Sequence, residues 1–171
     1  MGNGPLPAAT IPRPSGRKPA EKRATAFGQR TQAIQSNATA FGIDTIASGQ
    51  NATAFGNLTQ ATEIGATAFG NKNQATGQYA TAWGGGDKVV DNGDGTTKKV
   101  GTVASGTYAT AFGERTEASG ESATAFGSDS TASGKNAAAF GENSTASGEA
   151  STAFGIGSTA AAKNSLAALG G

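Results

Sequence analysis

The large apolar residues of this chain fall at a nearly fixed spacing. Phe27, Phe41, Phe55, Phe69, Trp83, Phe112, Phe126, Phe140 and Phe154 stand 14 residues apart, except for a 29-residue interval between Trp83 and Phe112. Each aromatic ends a run of the type ATAF and precedes a glycine, first at Ala24 to Gly28. Within that run Ala24 and Ala26 point one way and Thr25 and Phe27 the other, the period of two that a strand requires. A second mark comes eight residues after the aromatic, at Gly49, Gly77, Gly120, Gly134 and Gly148, with Gln35 and Glu63 as substitutes. Ala104, Ser105 and Gly106 restore it after the long interval.

This punctuation excludes helices, because two glycine-bearing turns per 14 residues would interrupt any helix before its third turn. The pattern predicts an all-β repeat architecture in which each unit forms one flattened coil and stacks on its neighbours. Two strand segments of four or five residues, each closed by a small turn former, make the coil, and successive coils lie about 4.8 Å apart. Inward positions are Ala, Gly and Ser, so the roll is thin. Thr25, Phe27 and their equivalents then lie outside, in a ladder along its whole length. Nine aromatics in one row exceed the few hundred Å² of apolar patch that a soluble monomer normally exposes. An identical chain is the natural cover.

Composition sharpens this picture. Leu, Ile, Val and Phe make up only 22 of 171 residues, too few for a thick interdigitated core. A net charge of +1 keeps the chain from self-repulsion and gives no bias towards nucleic acid or membrane lipid. Cysteine and histidine are absent, which removes disulfides, thiol chemistry, zinc sites and the usual base at neutral pH. No cofactor is expected. No run of 18 apolar residues occurs and the start lacks the apolar segment of a signal peptide, so this segment is not expected to enter a membrane itself. If the protein is exported, its targeting and anchoring parts lie outside this sequence. Residues 1–23 hold all five prolines and five basic residues, and read as a disordered basic tail or linker ahead of repeats over 24–171.

The 15 extra residues of the long interval lie within GGGDKVVDNGDGTTKKVG, Gly84 to Gly101. Two β-capable runs, Lys88 to Val90 and Thr96 to Val100, flank DNGDG, a strong hairpin signal, and predict an inserted hairpin around 85–101. Loops are where binding tends to reside, so Asp87, Lys88, Asp91, Asn92, Asp94, Lys98 and Lys99 are the candidate ligand contacts. Asp91, Asn92 and Asp94 are oxygen donors, but the bidentate glutamate and spacing of a calcium loop are missing, and no metal site is assigned. The GGG before Asp87 has no following helix that would cradle phosphate. Sequons at Asn37, Asn51, Asn57 and Asn143 follow from a repeat rich in Asn and Thr. The carboxylates Asp44, Glu114, Glu117, Glu121, Asp129, Glu142 and Glu149 are spread over turns and outer segments as solubilising charges. No arrangement resembles a catalytic constellation, so an enzyme is not expected.

The units NATAFG, ESATAFGSDSTASGKNAAAFG and STASGEASTAFG resemble the head repeats of trimeric autotransporter adhesins of the YadA type, over about 24–171. The resemblance implies a left-handed parallel β-roll with one coil per repeat and three chains around a common axis. It also implies that the two larger residues of each unit, here Thr25 and Phe27, Thr39 and Phe41 and so on, face the trimer centre. All nine aromatics would then line the trimer interface. Family heads also tolerate hairpins inserted between coils, as at Gly84 to Gly101. The family uses Val and Ile where this chain uses Thr and Phe, so axial packing is rebuilt around stacked rings. A neck, a coiled-coil stalk and a C-terminal outer-membrane barrel would lie outside this sequence. The closing STAAAKNSLAALGG resembles the edge of a head, with Leu169 15 residues after Phe154.

The implied function is that of a virulence-associated adhesin head on the bacterial surface, attaching to host cells or extracellular matrix through its outer faces and hairpin. A structural β-roll segment of a phage or other fibre is the alternative. An ice-binding face is disfavoured because each Thr stands beside a bulky Phe. A disordered Phe-Gly array needs no fixed register, and this chain keeps one.

Overall fold

A computed structural model describes residues 23–91 and 97–168. Apart from Arg23, the tail expected over 1–23 lies outside the described residues. The chain is an all-β parallel solenoid of about nine turns. Its long strands, beginning Thr25–Gln29, Thr39–Ile43, Thr53–Asn57 and ending Ala138–Phe140, Thr152–Phe154, Leu166–Ala168, form one ten-stranded sheet. Two-residue strands such as Gln32–Ala33, Ile46–Ala47 and Thr159–Ala160 form a second sheet of nine. Each coil is thus one long and one short strand rather than two similar ones.

Registers are strict. Phe27 stands opposite Phe41, Phe41 opposite Phe55 and Phe55 opposite Phe69. Across the long interval Trp83 still pairs with Phe112, so the insertion adds no coil and changes no phase. At the far end Phe154 pairs with Ala168 and Leu166 takes the place of a threonine. The aromatic column therefore ends in alanine, and Leu169 lies outside the described residues.

The interior is almost entirely alanine. Twenty-five alanines are buried among the described residues, three in a typical coil, as Ala52, Ala54 and Ala61. Each buried methyl contributes about 0.8 kcal/mol, so the thin core is only part of what holds the coils together. The rest comes from backbone ladders and from a buried polar column. Thr45 Oγ1 donates to the Gly56 carbonyl at 2.9 Å, Thr59 Oγ1 to Gly70 at 3.0 Å and Thr116 Oγ1 to Gly127 at 2.8 Å, each reaching into the next coil. In the last coils serine replaces threonine and turns back, Ser144 Oγ donating to Gly141 at 3.1 Å and Ser158 Oγ to Gly155 at 3.0 Å. Ser130 stands at the change between the two modes. Its Oγ is the one buried side-chain polar atom without a partner among the described residues.

The glycine after each aromatic does a different job from the one its sequence suggests. Gly56 does not turn the corner; it lies inside the strand Thr53–Asn57 with φ +136°, and a Cβ there would overlap the carbonyl oxygen of Gly70. Glycine is required because two backbones meet at that point. The corner itself is made two residues later by Arg30, Asp44, Leu58 and Lys72, all left-handed with φ between 51° and 57°. A second left-handed column runs through Asn37, Asn51, Tyr79, Tyr108 and Asn136 at the opposite corner. Asn tolerates this conformation better than most residues, which accounts for the sequons at Asn37, Asn51 and Asn143.

The polar column generates a paired prediction. Thr59→Ala removes a buried hydrogen bond to the Gly70 carbonyl and is expected to cost about 1 kcal/mol, whereas Ser130→Ala removes an unpaired hydroxyl and is expected to be neutral or stabilising. Urea melts of the two variants check this; equal losses would show that the hydroxyl column carries no stability.

Candidate functional site

The in-register sheet converts one aromatic per repeat into a row of rings on its outer face, stacked in contact from Phe27 to Phe126 and again from Phe140 to Phe154. Phe27, Phe41, Phe55 and Phe69 stack with centroids 4.6 to 5.0 Å apart and planes within 11° of parallel. That separation is the strand spacing itself. Trp83 joins Phe69 at 4.7 Å and 24°, then tilts to 33° against Phe112 at 5.7 Å, and Phe112 and Phe126 return to 3°. Phe140 and Phe154 are tilted by 48° at 6.3 Å, where the strands shorten. In the single chain these rings lie open to solvent, with Phe126 half exposed and Phe154 more so. Phe69 and Phe140 are half-buried. Thr residues flank the column, half-buried for most of its length.

The hairpin is present as Lys88–Asp91 antiparallel to Thr97–Val100. Lys88 lies opposite Val100, Val89 opposite Lys99, Val90 opposite Lys98 and Asp91 opposite Thr97. Asn92 and Asp94, the tip of the candidate contact set, lie outside the described residues. The hairpin leaves the corner that follows the strand Thr81–Gly85, which carries Trp83.

Two residues beside this base escape notice in the sequence. Asn73 occupies a position that is Thr or Ser in other coils, and it bridges the long interval. Its Nδ2 donates to the carbonyls of Phe69 at 2.5 Å and Gly84 at 2.9 Å, while its Oδ1 accepts the Thr102 backbone N–H at 2.9 Å. Lys72 pairs with Asp87, and its carbonyl accepts the Gly101 N–H at 2.8 Å. For Asn73 the sequence signal is available, since it departs from Thr or Ser in the coil that precedes the insertion; Lys72 stands at a variable position and gives none.

Charged side chains on the corners pair one coil apart. Arg30 makes a two-pronged pair with Asp44, and Arg115 with Asp129 at 2.6 to 2.8 Å. On the opposite corner Lys135 meets Glu121 at 2.9 Å and Lys163 meets Glu149 at 3.1 Å. The guanidinium bonded to Asp44 holds its carboxyl below the ordinary carboxylate range, and the Glu121 bond raises the Lys135 ammonium. Asp44, Glu114, Glu121, Asp129 and Glu149 therefore serve in ion pairs as well as in solubility. Among the described residues no three His, Cys, Asp or Glu stand close enough to hold one metal ion. No helix there is long and apolar enough to cross a membrane.

An open aromatic column on a parallel solenoid of 14-residue coils defines a stacking repeat protein built around an outer face. Its family is specific. The family model described as YadA head domain repeat (2 copies) matches residues 22–45, 33–59, 47–73, 61–86, 104–130, 127–148, 132–158 and 146–168. The chain belongs to this family of YadA-like heads. Only the region of the hairpin, 87–103, falls between matches. Heads of this kind are cell-surface parts of autotransporter adhesins and are homotrimeric in general. Comparison with curated proteins gives no match.

Two measurements follow. Asn73→Thr leaves the Thr102 N–H without an acceptor, so a loss of about 1–3 kcal/mol and faster hydrogen exchange at the Thr102 amide are expected, with distant coils unchanged. Protonating Asp44 loses its bond to Arg30. Because its folded pKa is depressed, that contribution is present above the unfolded carboxylate value of about 4 and fades as pH falls through the folded one. A small acid-side drop in melting temperature at low salt, reduced in Asp44→Asn, checks the sign.

Proposed function

We propose that this chain is the head of a trimeric bacterial surface adhesin that attaches to host cells or extracellular matrix and has no enzymatic role. Three left-handed rolls meet along their aromatic columns, with Phe27, Phe41, Phe55, Phe69, Trp83, Phe112, Phe126, Phe140 and Phe154 turned to the common axis. The observation that carries this is the column itself, a solvent-open apolar stripe running the length of a soluble fold. Burying a phenyl ring contributes about 1.5–3 kcal/mol, and three chains bury nine aromatics each. The resulting rod would be a stiff spacer. Its polar outer faces and its hairpin, through Asp87, Lys88, Asp91, Asn92, Asp94, Lys98 and Lys99, would meet the ligand in three copies, which multiplies weak contacts. The parent protein would anchor in the outer membrane by segments outside this sequence.

Replacing Phe55, Phe69 and Phe126 together by Ser tests the assembly. Light scattering is expected to give three times the 16.6 kDa chain mass for the native protein and a single chain for the variant. A monomeric native protein, or a variant that stays trimeric, would overturn the axial placement. Adhesion is tested separately, by binding of the native trimer to immobilised matrix proteins and cultured cells against a hairpin-deleted form.

A further inference from the structure

The corner between each short strand and the next long one carries a second glycine column. At Gly49, Gly77, Gly106, Gly120, Gly134 and Gly148 a Cβ would overlap backbone atoms of the next coil, so the coils close tightly there. Gln35 and Glu63 interrupt the column on either side of Gly49. Gly49 is buried while Gln35 and Glu63 are exposed. They stand two coils apart, about 9.6 Å along the axis. The result is a saddle of about 280 Å³, with Gly49 as its floor and Ser48, Gln50, Thr62 and Ile64 completing the walls. Among the described residues no other coil corner carries two long polar side chains around a glycine floor.

The lining limits the ligand. Two amides and two hydroxyls offer both donors and acceptors, which suits sugar hydroxyls, each of which both donates and accepts. The exposed Ile64 supplies an apolar wall for ring C–H groups. The volume lies at the small end of ligand sites, enough for one ring rather than a chain. Glu63 is the one charged group in the lining and no cation accompanies it, so sulfated or sialylated sugars are repelled. The saddle lies at the corner between the short and long strands, and no ring of the aromatic column lines it.

We propose that this saddle binds one neutral hexose unit of a cell-surface glycan. The inference rests on the adhesin-head reading and supplies a ligand class for it. The saddle is shallow, so single-site affinity is expected at a Kd of about 1 mM, with avidity supplied by repetition of the site in the assembly.

The test is a titration of the full chain with galactose, glucose, mannose and N-acetylglucosamine, followed by ¹H–¹⁵N spectra. Saturable shifts of the Gln35 and Gln50 side-chain amides and the Glu63 backbone amide are expected with at least one sugar, and none with N-acetylneuraminic acid. The double variant Gln35→Gly and Glu63→Gly restores the glycine of the other coils, and is expected to lose the shifts while keeping the native β-sheet spectrum and mass. Gln50→Ala, an exposed change, is a second variant expected to weaken binding at least threefold. Absence of saturable shifts with all four sugars, or shifts that survive in both variants, would overturn the proposal. A trimer that binds no sugar defeats the saddle alone, whereas a monomer that binds sugar defeats the trimeric reading and leaves the saddle standing.

Discussion

In this solenoid each residue sits above its own counterpart one coil away, at the spacing of paired strands. That constraint decides what every position tolerates. Aromatics stacked on aromatics gain ring contacts, as Phe41 does between Phe27 and Phe55. Alanine on alanine closes a dry interior. Like charges placed so would repel, and the corners instead alternate sign, Arg30 on Asp44, Arg115 on Asp129, and Glu121, Lys135, Glu149 and Lys163 in succession. A slip by one coil would place Lys135 against Lys163 in such a column, so the charges favour one register out of several that the repeat itself would accept.

Much of this could be read from the sequence because the repeat is strict. The period located nine of the ten long strands, missing only Leu166–Ala168 where the aromatic gives way to alanine, the alternation of Ala24 to Phe27 gave the inner and outer faces, and DNGDG marked the hairpin. What the period could not show was distance to the neighbouring backbone. Gly56 looks like a turn residue until its missing Cβ is seen to face the Gly70 carbonyl. Thr59 looks like one more small polar residue until its hydroxyl is found on the same carbonyl. The two observations belong together: the glycine that lets the coils close also turns a carbonyl inward, and the threonine satisfies it.

The departures from the repeat prove more informative about function than the repeat. Asn73 extends one amide across the place where a hairpin has been inserted and so keeps the core sealed. Gln35 and Glu63 raise two long polar side chains on a corner where most other coils carry glycine. In both cases the exception is local, because each coil touches only the coils beside it. The cost of variety is therefore confined, and the surface can be changed at one height without rebuilding the rest.

The unbroken phase across the inserted hairpin carries a genetic corollary. Trp83 and Phe112 pair as if nothing lay between them, so what matters to the fold is the closure of each coil and not the length of chain spent at a corner. Coding DNA built from near-identical units is prone to gain or lose one of them during replication. Here such an event would lengthen or shorten the rod by a single step of about 4.8 Å and leave every other layer in place.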